Sequence, residues 1–99
     1  MVKENFGQYI RRLREEKKLP LRKVAAQLDI DISTLSKVER GDRPISIKYL
    51  RPLSQILKIE LKEIQIRFVS DNIMKNLNKL EYLSDGLSEV LNELKKKKK

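Results

Sequence analysis

The chain has 99 residues, with 23 Lys and Arg against 14 Asp and Glu, which gives a formal net charge of +9 and a pI near 9.9. This length allows one domain with an appended arm, and the absence of cysteine and histidine excludes disulfides, imidazole catalysis and the usual zinc sites, so we expect no metal and no cofactor. Nothing resembles a signal peptide, and no segment approaches the roughly 18 continuous apolar residues that a membrane span needs, so we expect a cytoplasmic protein without membrane contact.

The first part of the chain predicts an amphipathic helix over residues 4–18. Glycine and proline are scarce and β-branched alternation is nearly absent, which favours helix throughout. In this first segment, the residues of one face recur at steps of four, three and four. That face comprises Phe6, Ile10, Leu13 and Lys17.

Two short helical patterns joined by a tight turn follow. The first covers residues 21–28, the turn covers residues 29–31, and the second covers residues 32–40 and ends at Gly41, which suits a left-handed C-terminal position. Asp31 stands at the N-cap position, where we expect its carboxylate to accept amides of the following helix. This layout is a helix-turn-helix, whose second helix enters the DNA major groove.

The outward face of the helix over residues 32–40 carries the side chains that we expect to contact DNA, with Leu35 and Val38 turned inward. Residues near the start of such a helix meet base edges, and later ones reach phosphates. The predicted base contacts are Ile32, Ser33, Thr34, Ser36 and Lys37. The predicted phosphate contacts are Arg22, Lys23, Arg40, Arg43 and Lys48. A solvated face without a ligand is the alternative for this helix taken alone.

A fourth helix is predicted over residues 47–58, with Ser46 as its N-cap. Leu50, Leu53 and Leu57 would be buried. Pro52 lies inside this pattern and removes one intrahelical hydrogen bond, so we expect either a kink or a shortened helix.

From about residue 60 the pattern changes to a heptad-like seam with alternating steps of three and four. Its positions are Ile66, Val69, Ile73, Asn76, Leu80, Leu83, Leu87, Val90 and Leu94. Such a seam is typical of a coiled coil. Serine and glycine within residues 84–86 offer a place where the rod could break, so one long helix and two shorter ones are both open. We expect the arm to join two chains, with packing inside one chain as the alternative.

Three stretches together resemble the helix-turn-helix domains of the lambda-repressor, Cro and Xre type. They are IRRLREEKKL at residues 10–19, VAAQLDID at 24–31 and STLSKVERG at 33–41, and the resemblance extends over residues 6–64. It implies a five-helix domain whose third helix reads DNA. It also implies that Glu39 is structural and pairs with an arginine of the first helix, here Arg14.

The sequence departs from this family at both ends of the first helix of the motif. Asp29 stands where the family usually has glycine, and aspartate tolerates a left-handed turn better than most residues. Pro20 and Leu21 replace the usual hydroxyl cap and glutamine, so we expect one familiar phosphate contact to be lost. These changes bear on the DNA sequence that is read and leave DNA binding itself intact.

The chain therefore divides into a helix-turn-helix domain (residues 1–64), a C-terminal helical dimerisation arm (residues 65–94) and a basic tail (residues 95–99) that we expect to be disordered. Residues 1–59 carry 14 basic and 7 acidic side chains, a balance that suits a polyanionic partner, whereas residues 60–94 carry 4 and 7. The predicted dimer seam is Ile66, Val69, Ile73, Leu80, Leu83 and Leu87.

We expect a homodimeric transcriptional regulator that binds double-stranded DNA at an inverted-repeat operator. No enzyme is expected, because the only acid–base candidates are scattered carboxylates and no glycine-rich phosphate loop is present. No small-molecule ligand is expected either, because the amphipathic arm is too short to enclose one. The alternative is a non-enzymatic adaptor that recruits another protein through its heptad helix and uses the basic domain as a DNA tether.

Overall fold

The computed structural model describes residues 4–97, and its regular elements in that span are all helical, as predicted. The elements are α1 (Phe6–Glu16), α2 (Leu21–Leu28), α3 (Ile32–Arg40), a 3₁₀ turn (Ile47–Tyr49), α4 (Leu50–Leu57), α5 (Leu61–Leu77) and α6 (Leu83–Lys97). Among these helices, none combines the length and the apolar character needed to cross a membrane.

Helix α1 is shorter than predicted because a capping box sets its start. The Asn5 side chain accepts a hydrogen bond from the Gln8 amide at 2.8 Å, and the Asn5 amide donates to the Gln8 side chain at 3.0 Å. This reciprocal pair serves two amides that the first turn leaves free. Lys17, the last position of the predicted periodic face, follows the end of the helix and is exposed. A charged ammonium at that position stays in water.

Helices α2 and α3 have the predicted bounds. Asp29 adopts the left-handed conformation at φ 58°, and Gly41 ends α3 at φ 84°, as expected for both positions. Asp31 is at the N-cap with an extended backbone, but its carboxylate accepts no capping hydrogen bond, so that part of the prediction is wrong. The side chain is exposed, where water can serve both the carboxylate and the free amides of the first turn.

The fourth helical segment resolves the conflict posed by Pro52. Ser46 makes no side-chain cap, and the chain first forms the 3₁₀ turn before α4 begins at Leu50. Pro52 therefore lies in the first turn of α4, where its nitrogen would have no α-helical partner in any case. The shortened helix is the alternative that the structure adopts.

One apolar core joins α1 to the start of α5. Its buried side chains are Phe6, Tyr9, Ile10, Val24, Ala25, Leu28, Leu35, Val38, Ile45, Leu50, Leu53, Leu57 and Ile64. Helix α1 packs on α3, α2 packs on α3 and α4, and α4 packs on α5. Gly7 permits the approach of α1 to α3, because a Cβ at this position would collide with the Val38 carbonyl oxygen. The orientation of α3 thus depends on packing against both α1 and α2.

The arm consists of two helices, so the continuous rod is wrong and the alternative of two helices is correct. The interruption lies at residues 78–82, whereas Gly86, within the segment considered as a place for a break, sits inside α6. Turn hydrogen bonds from the Leu80 amide to Leu77 and from the Leu83 amide to Leu80 lead the chain into α6.

The predicted domain boundary after residue 64 falls inside α5, and the division into domains stays a prediction. Of the lysine tail, residues 95–97 belong to α6, contrary to the expected disorder, and residues 98–99 lie outside the described span. Cations at a helix C-terminus are favoured by the helix dipole.

Candidate nucleic-acid interface

A buried ion pair holds the C-terminal end of α3 against α1. Arg14 donates from Nε to one Glu39 oxygen at 2.8 Å and from Nη2 to the other at 3.1 Å. Its Nη1 donates to the Leu19 carbonyl at 2.8 Å. The Arg14 and Glu39 side chains are only 12% and 5% exposed. The hydrogen bonds with Glu39 raise the pKa of Arg14 above its ordinary value.

This geometry bears out the role that the resemblance implied for Glu39. A carboxylate held at both oxygens by one guanidinium is oriented rigidly by the bidentate arrangement, and the Glu39 side chain is almost inaccessible to solvent. Glu39 is therefore part of the scaffold that holds α3 on α1.

The remaining surface of α3 is divided as the sequence predicts. Leu35 and Val38 are buried in the core, whereas the Ile32 side chain is 51% exposed. Ser33 and Lys37 are also exposed, and Thr34 and Ser36 are half-buried. All the predicted base-contacting residues thus lie on the part of α3 that is not packed in the core. Their contact with base edges stays a prediction.

The predicted phosphate-contacting residues Arg22, Lys23, Arg40, Arg43 and Lys48 are all exposed. Arg40 forms an ion pair with Asp42, with 3.1 Å from Nε to Oδ2. A phosphate would therefore have to compete with the Asp42 carboxylate for the Arg40 guanidinium. Within the described residues Arg22, Lys23 and Arg43 form no such pair.

An open groove beside α3 brings several of these groups together. The same depression is lined by Thr34 on α3, by Arg43 on the loop that follows, and by Lys48 in the 3₁₀ turn. Asp29 and Asp31 line it as well, so the groove holds both signs of charge. A phosphate would be attracted to the Arg43 and Lys48 side and repelled by the two carboxylates, which restricts how a backbone can lie across it.

A family model described as helix-turn-helix matches residues 10–64. The chain belongs to this family, of the Xre and lambda-repressor type. It is a helix-turn-helix DNA-binding transcriptional regulator, and the family is non-enzymatic. The family match covers α2, α3 and α4 completely and ends at residue 64, in the first turn of α5.

Three relatives of this helix-turn-helix protein illustrate the similarity. The control protein C.MunI of Mycoplasma sp is 38% identical over 64 residues, which are 64% of this chain and 86% of that protein. The crystal structure of the restriction-modification controller protein C.AhdI from Aeromonas hydrophila is 37% identical with a TM-score of 0.55, covering 60% of this chain and 89% of the other. The clp gene regulator ClgR from C. glutamicum is 25% identical with a TM-score of 0.57, covering 68% and 87%.

Sequence reasoning missed the contacts that attach α5 to the helix-turn-helix domain. Glu4 accepts from Arg12 at 2.8 Å and from Arg67 at 3.0 Å, and the Arg67 guanidinium lies 4.6 Å from the Tyr9 ring centroid. Phe68 meets Phe6 edge to face at 5.4 Å. The hydrogen bond from Arg12 is the main cause that lowers the pKa of Glu4.

A further contact links α5 to the end of α3. The Lys75 ammonium donates to the Gly41 carbonyl at 3.3 Å. A signal for this inner face of α5 was present, because residues 61, 64, 68 and 75 recur at helical steps.

Proposed function

We propose that this regulator binds a specific double-stranded DNA site with α3 in the major groove. The observation that carries the proposal is the two-sided character of α3. Leu35 and Val38 anchor it in the core, while Ile32, Ser33 and Lys37 remain exposed on the same helix. Serine hydroxyls donate and accept, lysine donates to guanine O6 or N7, and an isoleucine methyl suits the thymine methyl.

We also propose that Arg22, Lys23, Arg43 and Lys48 bind the phosphate backbone on either side of this helix. Each is exposed, and charge alone gives such contacts affinity without sequence preference. Arg40 is a weaker candidate because its guanidinium is engaged with Asp42.

The functional unit is a homodimer joined through the arm. On α5, Ile66 and Val69 are 58% and 54% exposed, although both are apolar. They lie on the side of α5 away from Ile64, which is fully buried. Exposed apolar patches of this kind mark protein contacts. Together with Ile73, half-buried on α5, and Leu80, Leu83 and Leu87 farther along the arm, they form the proposed seam.

The dimer leads to a prediction about the operator. Two copies related by a two-fold axis present two α3 helices, which suits an inverted repeat with half-sites about one helical turn, roughly 34 Å, apart. The relatives with identities of 37% and 38% are described as controller and control proteins. This supports a role of the present chain in controlling a restriction-modification system.

Selection from random DNA duplexes at a stated salt concentration tests the proposal most directly. A recovered inverted repeat supports a dimeric reader, and enrichment of no motif at all would contradict sequence-specific binding. Sedimentation of the parent and of the double variant Leu80→Asp, Leu83→Asp tests the seam. We expect a dimer for the parent and a monomer with poor operator affinity for the variant, and an unchanged dimer in the variant would place the interface elsewhere.

The adaptor function is a second candidate, because α6 exposes Val90 and Leu94 without a cover among the described residues. If the pure chain is a monomer at all accessible concentrations and pairs only with a different protein, the adaptor explains the arm better. A stable homodimer favours the regulator.

A further inference from the structure

Helix α6 carries an apolar stripe that is half-buried at its start, at Leu83 and Leu87, and exposed along the rest of its length. The stripe consists of Leu83, Leu87, Val90 and Leu94 at steps of four, three and four, widened by Leu91. Val90, Leu91 and Leu94 are 53%, 55% and 52% exposed. Within Leu83–Lys97 no residue is buried. The stripe also lies beyond the matched family region, which ends at residue 64, so the shared domain does not account for it.

Charge is distributed unevenly along the same segment. Acidic residues recur every four positions, at Glu81, Asp85, Glu89 and Glu93. The last turn of α6 carries only lysine, at residues 95–97, and the sequence adds two more lysines after it. The segment is therefore negative from its start through most of its length and strongly positive at its end.

We propose that α6 pairs with α6 of a second copy in antiparallel orientation, an inference that rests on the homodimer proposed above. In a parallel pair, the lysine ends of both copies would lie side by side and repel each other. In an antiparallel pair, each lysine end lies beside the acidic beginning of its partner, and the two helix dipoles also oppose. Charge complementarity of this kind selects orientation and partner.

The apolar stripe indicates the register of this pair. Overlap of the stripe is greatest when Leu83 lies opposite the partner's Leu94 and Leu87 lies opposite the partner's Val90. Lys96 is then level with the partner's Glu81, so the apolar and charged matches favour the same register. The occupant of the stripe is accordingly a second copy of this chain.

Engineered cysteines test the orientation, and the natural chain helps because it has no cysteine of its own. We would prepare Leu83→Cys and Leu94→Cys as separate full-length variants, co-express them with distinguishable tags, and oxidise them under mild conditions. A disulfide requires Cα atoms within about 7 Å. In the antiparallel pair the two copies of residue 83 are about 16 Å apart along the axis, because a helix rises about 1.5 Å per residue.

The expected result is a disulfide-linked dimer in the Leu83→Cys and Leu94→Cys mixture, with at least ten-fold less product for either variant alone. Asn92→Cys, on the polar side of α6, is the matched control and should give none in any mixture. Efficient linkage of each variant with itself would overturn the antiparallel pair while leaving the dimer intact. A sedimenting dimer without linkage would also overturn it, and would place the contact on α5. A monomeric parent chain would overturn both the dimer and the pair.

Discussion

The buried ion pair beneath α3 permits a prediction with a definite magnitude. Replacing Glu39 with alanine leaves the Arg14 guanidinium, only 12% exposed, without its bidentate partner. Removing one member of a buried pair costs about 3–5 kcal/mol, because the remaining charge is neither solvated nor compensated. Since domains of this size are stable by about 5–15 kcal/mol, the loss would be a large share of the total. It should lower Tm by about 12 °C or more, at about 4–8 °C per kcal/mol.

Glu15→Ala is the matched control for this experiment. Glu15 also pairs with an arginine, Arg11, at 3.2 Å, but both side chains are exposed. Such a pair contributes about 0.3–0.5 kcal/mol, so urea unfolding should barely distinguish the control from the parent. A Glu39→Ala variant that is as stable as Glu15→Ala would refute the reasoning. The double variant Arg14→Met, Glu39→Leu should recover much of the loss, because it removes the unpaired charge.

Three further predictions concern packing, DNA and acid. Gly7→Ala should destabilise the domain strongly in thermal unfolding, because its Cβ would collide with the backbone of α3, whereas Gly86→Ala, with nothing near it, should gain about 0.8–1 kcal/mol from helix propensity. Lys37→Ala should relax the base preference at one operator position. Arg43→Ala should weaken binding to all duplexes alike and reduce the slope of log affinity against log salt concentration by about one. If both variants bind every duplex with the affinity of the parent, the proposed interface is wrong. The pKa of Glu4 is lowered in the folded state, so its stabilisation is complete above pH 4.5 and is lost as the pH falls through the lower folded-state pKa. Glu4→Gln should therefore be less stable than the parent at neutral pH, and the difference should vanish once the pH has fallen below the lowered folded-state pKa of Glu4, as urea unfolding across an acid pH series would show.

The helix-turn-helix region could be predicted almost residue by residue, because local signals and tertiary packing agree there. Leu28 closes α2, Asp29 takes the left-handed turn, and Gly41 ends α3. Each of these is a short-range effect of backbone conformation. The Arg14 and Glu39 pair was accessible only through the resemblance, since a separation of 25 residues leaves no periodic signal.

The arm was harder to predict because its two faces carry competing patterns. The heptad-like seam was compatible with one helix or with two, and the chain turns at residues 78–82, where no glycine or proline marks a break. The inner face of α5 also depends on partners far away in sequence, such as Phe6 for Phe68. The apolar periodicity on one face of a helix does not indicate which residues the opposite face contacts.

The two helices of the arm differ in their contacts with the helix-turn-helix domain. This difference assigns the spacing of the two α3 helices to α5 and the affinity between two copies to α6. Helix α5 is fixed to the domain by apolar packing through Ile64 and Phe68, by the Arg67 guanidinium between Tyr9 and Glu4, and by Lys75 at the end of α3. Any second copy that binds the outer face of α5 is therefore positioned rigidly relative to α3, and the distance between two α3 helices follows from α5. In α6 no residue is buried, so the proposed pairing through α6 would add affinity for a second copy without dictating that distance. Mutations on the outer face of α5 should accordingly alter the preferred half-site spacing, whereas mutations in α6 should alter the concentration at which the dimer forms.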